Sequence, residues 1–237
     1  MKPGPRTREQ LQRLSQSWAQ GEHLLLSGST GSGKTSLIRP IIQIRIDRGG
    51  YVIVFVTKIK PDRTIVEDYK GFSRWQSWKK RPRAGENAVL LWPDLSGMAA
   101  TKAKEVQKEI FKEAYDGVSE VGRWTVVTDE GLYVCNPAFL NLADELAMSH
   151  AVGRSSGITN VVATQRPSHI PLVIYGSASH AMVGRTRLAA DLKRLQELGG
   201  RESTRELQDR IAGLQRREFL WLPVAPDWPG EVVDLSK

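Results

Sequence analysis

Eight consecutive residues carry the plainest chemistry in this chain. Gly28-Ser29-Thr30-Gly31-Ser32-Gly33-Lys34-Thr35 fits the phosphate-binding pattern G-x-x-x-x-G-K-[ST] at every fixed position. Glycines let successive backbone N–H groups turn inward toward phosphate oxygens, and a following helix adds the positive end of its dipole. Lys34 brings a mobile cation for β- and γ-phosphates, the Thr35 hydroxyl is a ligand for Mg²⁺, and Ser36 closes the cradle. The flanks agree with the loop. His23-Leu24-Leu25-Leu26-Ser27 reads as a short buried strand before it, and Ser36 to Arg48 reads as a helix after it. A nucleoside triphosphate is the ligand this implies.

A second cluster lies downstream. Trp124-Thr125-Val126-Val127-Thr128-Asp129-Glu130 is an apolar strand ending in two carboxylates. Asp129, expected beside the phosphate loop on a neighbouring strand, suits Mg²⁺. Glu130 suits the polarisation of a water that attacks the γ-phosphate. The strand Val161-Val162-Ala163-Thr164 then leads into Gln165-Arg166-Pro167-Ser168. A polar residue at such a tip can sense the γ-phosphate.

Elements that must position these groups follow from periodicity. A helix over Arg8 to Gln20 with Thr7 as its cap, strands over Tyr51 to Val56 and Ala88 to Trp92, and a helix from Met98 to Val118 are expected. Asn136-Pro137 reads as the cap of a helix running to His150. Past Ser168, short helices around Leu188–Leu195 and after Ser203, and a late strand at Phe219–Leu222, complete the alternation. Strand and helix in turn with short connections predict an α/β fold, a mostly parallel sheet flanked by helices on both faces.

Composition sets limits. The chain has 237 residues, 25% charged and 40% hydrophobic, which fits a single domain over 1–237 with a short flexible lead-in at 1–6. A net charge of +8 suits a polyanion. A single cysteine excludes an internal disulfide and a multi-cysteine zinc site, and the four histidines are too dispersed for a metal cluster. No apolar run is long enough for a transmembrane segment, so a cytoplasmic setting is expected, that of a bacterium or an infected host.

The run Ala163-Thr164-Gln165-Arg166-Pro167-Ser168 resembles the A-T-Q-R-P-S motif of FtsK/HerA-type DNA-translocating ATPases, and Gly153-Arg154-Ser155-Ser156-Gly157-Ile158 resembles their G-R-A-A-G-I segment. With the two phosphate-site motifs, four segments match in the family's order. The resemblance implies a RecA-like P-loop NTPase that hydrolyses ATP with Mg²⁺. Gln165 would be the γ-phosphate sensor and Arg154 the finger that reaches a neighbouring subunit's nucleotide. It further implies a homo-oligomeric ring, a hexamer, acting on double-stranded DNA. The stripped form is similar to viral genome-packaging ATPases, with a docking partner on a capsid or membrane and association with the virion. Val56-Thr57-Lys58 departs from the Asp-Pro-Lys that members often carry there. By its residues alone, Arg154 also reads as a solvated loop arginine.

Other segments leave alternatives. Residues 70–83 interleave Phe72, Trp75 and Trp78 with Arg74, Lys79, Lys80, Arg81 and Arg83, which suits either DNA contacts or core tryptophans beside a solvated basic loop. Arg185 and Arg187 are further candidates to line the nucleotide. The arginines from Arg194 to Arg217, interleaved with acids, read as an ordinary surface or a subunit interface. Asp94-Leu95-Ser96-Gly97 matches the D-x-x-G of a GTPase, but no N-K-x-D follows it. A small-molecule kinase and a nucleotide-dependent switch or scaffold are the remaining rivals.

Overall fold

The computed structural model describes residues 5–59, 63–79, 82, 85–198, 204–223 and 231–235. In chain order these form α1 (Pro5–Ser17), β1 (His23–Ser27), α2 (Lys34–Asp47), β2 (Tyr51–Phe55), α3 (Arg63–Asp68), β3 (Ser73–Trp75), β4 (Ala88–Leu91), α4 (Ala100–Val121), β5 (Trp124–Thr128), α5 (Gly131–Cys135), α6 (Ala143–Gly153) and β6 (Thr159–Thr164). There follow α7 (Leu172–Ser177), β7 (Ala178–Gly184), α8 (Ala189–Leu195), α9 (Thr204–Gly213), β8 (Glu218–Pro223) and β9 (Glu231–Asp234). Nine strands make one sheet in the order β3-β4-β2-β5-β6-β1-β7-β8-β9. The first seven strands run parallel, β8 adds antiparallel to β7, and β9 adds antiparallel to β8.

Parallel strands covered on both faces must be apolar throughout, and β1, β5 and β6 are buried at every position. Their alternation divides two cores. Leu25, Phe55, Val126, Val162 and Val183 point to the face covered by α4 to α9, while Leu24, Leu26, Val54, Val127 and Val161 point to the face covered by α1 and α2. The α/β architecture read from the sequence stands, with helices on both faces.

Several local expectations change. The first helix begins at Pro5, whose fixed φ suits a first turn, so residues 5 and 6 of the expected lead-in are helical and Thr7 lies inside rather than at the cap. Pro40 stays within α2, where the Ser36 carbonyl loses its intrahelical donor without ending the helix. Asn136 does not cap a long helix. Its Oδ1 accepts the Ala138 N–H at 2.8 Å and closes a turn, and Asn141 at φ 53° interrupts the chain before α6 starts at Ala143. Ser203 falls outside the described residues.

The 70–83 segment packs inward. Ser73–Trp75 forms the outermost strand, Trp75 is fully buried, and Trp78 sits against Trp75 and Trp124 at centroid distances of 5.9 and 5.5 Å. Arg74 and Lys79 lie over Trp92 and Trp75. Trp75 belongs to the core, and Phe72 and Trp78 pack partly buried against it, which favours the core reading over base stacking for these aromatics. Residues 80, 81, 83 and 84 lie outside the described set. Asp94 accepts from the Ser96 N–H and hydroxyl, so the D-x-x-G segment closes a local turn.

Candidate active site

The phosphate loop leaves the C-terminal end of β1, where the Gly28 N–H donates to the Thr164 carbonyl of β6 at 3.2 Å. The loop coils tightly enough that a Cβ on Gly28 would meet Ser32 Oγ at 2.8 Å. Gly33 enters α2 at φ 100°, a left-handed conformation that glycine adopts without strain. Lys34 is buried, and its ammonium donates to the Gly28 carbonyl at 2.8 Å and the Ser29 carbonyl at 3.2 Å. Burial lowers its pKa, against the opposing pull of Glu130 and Asp129.

Sheet order corrects one expectation. The strand ending in Asp129 and Glu130 does not adjoin β1, because β6 lies between β5 and β1. Gln165, at the tip of β6, therefore stands between the phosphate loop and the two carboxylates. Its Nε2 donates to Glu130 Oε2 at 2.7 Å, and its Oε1 accepts a short hydrogen bond from the Thr30 hydroxyl. Thr35 Oγ1 lies 3.5 and 3.3 Å from the two oxygens of Asp129. Thus Lys34, Thr35, Asp129, Glu130 and Gln165 meet in one cleft of about 580 Å³.

Two features bear on what this cleft can hold. The pKa of Asp129 is pushed up to about 6, first by burial and then by the charge of Glu130, with Lys34 and Thr35 opposing. Glu130 Oε1 is buried without a hydrogen-bond partner. Adjacent carboxylates, a threonine hydroxyl and an excess of hard oxygen donors fit Mg²⁺. An unpartnered carboxylate oxygen beside them fits a water to be polarised.

Arg154 is elsewhere. It follows α6 and lies beside His23, at the N-terminal end of β1, about 15 Å or one strand length from the phosphate loop. There it lines a larger cavity of about 1040 Å³ with His150, His180 and Trp221. Sequence proximity to the Gln165 motif does not bring it to its own chain's phosphates.

Three other arginines do reach the loop. Arg185, Arg216 and Arg217 line a smaller cleft of about 200 Å³ against Ser29–Ser32, and Arg216 and Arg217 also border the main cleft. Arg185 was legible from its place after an apolar stretch; Arg187 is exposed. Arg216 and Arg217, expected on an ordinary surface or subunit interface, carried no local signal, because only the antiparallel return of β8 beside β7 places them here.

No family model matches this chain. It is 25% identical over 224 residues to the DNA translocase FtsK of Oceanobacillus iheyensis, an overlap of 89% of this chain and 28% of that protein, so the chain spans little more than a quarter of that relative. Among solved structures, the genome packaging NTPase B204 of Sulfolobus turreted icosahedral virus 2, in complex with ATP-γS, matches 89% of this chain and 95% of its own at TM-score 0.60 and 16% identity. VirB4 of Thermoanaerobacter pseudethanolicus matches 90% of this chain and 88% of its own at TM-score 0.63 and 10% identity. The fold is that of RecA-like P-loop ATPases, and the resemblance to the FtsK/HerA type holds.

Proposed function

We propose that this chain hydrolyses ATP with Mg²⁺ and uses the cycle to move double-stranded DNA, as a genome-packaging motor in a homo-oligomeric ring. One observation carries the hydrolytic part: the hydrogen-bonded path from Thr30 through Gln165 to Glu130, ending in an unpartnered carboxylate oxygen beside Asp129 and Thr35. Backbone N–H groups of Gly28–Ser36 hold the phosphates, and Lys34 exchanges the Gly28 and Ser29 carbonyls for phosphate oxygens. Thr35 and Asp129 would hold Mg²⁺, which would supply neutralisation of phosphate charge. Glu130 orients and deprotonates the attacking water. Gln165, bonded to both Glu130 and the phosphate loop, changes partners when the γ-phosphate arrives or leaves.

Arg154 takes its role from a second copy. It is too far from its own phosphate loop to act there, and its fixed charge suits the spread of charge in phosphoryl transfer on a neighbour. A net charge of +8 supports a polyanionic track. Near-complete overlap in both directions with B204 supports the packaging task, and with it a docking partner on a capsid or membrane and a cytoplasmic or virion-associated setting. No helix among the described residues is long and apolar enough to cross a membrane. The similarity to FtsK favours a second reading of the task alone, DNA segregation or plasmid transfer by the same chemistry.

The test is Mg²⁺-ATP turnover with and without long double-stranded DNA, with Lys34→Ala as control. Stimulation by DNA that the variant loses is the expected result. Turnover indifferent to DNA would point to a nucleotide-dependent switch or scaffold.

A further inference from the structure

The tip of β6 is gripped from α8. Asp191, in the first turn of that helix, has no exposed surface. Its Oδ1 accepts the Ser168 backbone N–H at 2.9 Å and the Ser168 hydroxyl at 2.7 Å, and its Oδ2 accepts Arg166 Nε at 3.2 Å. One turn along, Arg194 lies over the Tyr175 ring, 5.7 Å from its centroid, and the Tyr175 hydroxyl donates to the Pro167 carbonyl at 2.6 Å. Residues 166, 167 and 168 are each tied to α8, directly or through a side chain on which α8 rests. Gln165 immediately precedes them.

A buried carboxylate whose donors all come from one short segment is stiffly coupled to it, because separating the two strands a charge in the core. The chain beyond β7 has a matching route. It leaves the sheet at Arg185, passes through α8 and α9, and returns at Gln215–Arg217, and both ends of this excursion line the cleft against the phosphate loop.

We infer that Asp191 is a positioning residue that passes the state of Gln165 to α8, and through the α8–α9 excursion to the arginines at the phosphate loop. This rests on the reading of Gln165 as a γ-phosphate sensor. When Gln165 exchanges Glu130 and Thr30 for phosphate, the displacement at the strand tip moves Arg166 and Ser168, and Asp191 carries α8 with them. Contact alone is not coupling, so the inference stands or falls on whether the nucleotide site shifts α8 between two arrangements.

Asp191→Asn tests this, since it keeps the size and one acceptor while removing the charge. Arg166→Gln breaks the pair from its half-exposed side and serves if the first variant fails to fold. Three quantities are measured: affinity for ATP-γS with Mg²⁺, ATP turnover at saturation, and amide hydrogen exchange across 189–195 with and without ATP-γS. In the parent protein, ATP-γS is expected to change exchange in α8. In the variants, affinity stays within about threefold, turnover falls at least about tenfold, and the α8 response disappears. Parent protein that binds ATP-γS with no response in α8 overturns the inference, and so do variants that keep both turnover and response. Parallel loss of affinity, turnover and melting temperature would reduce Asp191 to a structural brace and overturn it too. Failure of the parent to bind ATP-γS would instead bring down the nucleotide reading, and this inference with it.

Discussion

The two ends of the same parallel strands are built on opposite electrostatic plans. At the C-terminal end of β1, β5 and β6, Lys34, Asp129 and Glu130 keep charges in partial burial, and Asp129 is pushed up to about 6. At the N-terminal end, burial holds three histidines neutral. His23 Nδ1 accepts the Asn160 N–H, so its proton sits on Nε2 and is donated to the His150 carbonyl. The His150 ring, 4.5 Å away, is held well below the usual imidazole range, and burial pulls His180 down to about 4 despite Glu22 nearby. The larger cavity lies at this end, beside the neutral histidines, and the proposed chemistry lies in the smaller cleft at the other. Charge persists around these histidines in Arg13, Glu22 and Arg154, which line the same cavity.

Arg154 supplies the test with most power to break the comparison. Arg154→Ala should leave ATP-γS affinity of a single chain unchanged and cut turnover by about 10³-fold or more, the scale of an arginine acting in trans on phosphoryl transfer. Mixing it with Glu130→Ala subunits should restore turnover, because an intact arginine then meets an intact neighbouring cleft. Without rescue, Arg154 serves its own end of the sheet and not a neighbour's nucleotide.

Glu130→Gln should lower turnover by about 10²–10⁴-fold while Mg²⁺-ATP-γS still binds, since only the base is lost. Equal loss of affinity would mean that Glu130 holds substrate rather than water.

The smallest effect sharpens the contrast through pH. The histidines are neutral when folded and free to protonate when unfolded. Their stabilisation, complete above about pH 6.5, is lost as pH falls; His180 alone accounts for about 2 kcal/mol between pH 7 and 5. Asp129 has the reverse sign, because its raised pKa makes the ionised form a cost above about pH 6 that protonation relieves. Asp129→Asn should therefore raise the melting temperature of the nucleotide-free protein by about 6–12 °C at pH 7.5, a gain that shrinks below pH 6 and is mostly gone near pH 4. Thermal scans across this range check both signs. A constant gain would detach Asp129 from the charged cleft.

Residue types at short spacing made much of this protein legible in its sequence. The phosphate loop, the β5 carboxylates and the Gln165 motif each sit within one strand–turn unit, where local conformation is dictated by glycine, β-branched runs and chain direction. The α/β class followed from the same alternation. Strand order is not a local property. Placing β6 between β1 and β5 depends on how crossovers pack both faces of the sheet, and that order makes Gln165 the bridge between Thr30 and Glu130. Burial is not local either: Trp75 and Trp78 beside a basic run suit a core or a nucleic acid equally until β3 docks on β4. Long-range return of the chain alone brought Arg216 and Arg217 to the phosphate loop, put Arg154 a strand length away from it, and buried Asp191 against the Gln165 motif. Sequence determined which groups are capable of the chemistry, because reactivity is written in residue type; the tertiary structure decided which of them share a cleft, because proximity is settled by packing the whole sheet.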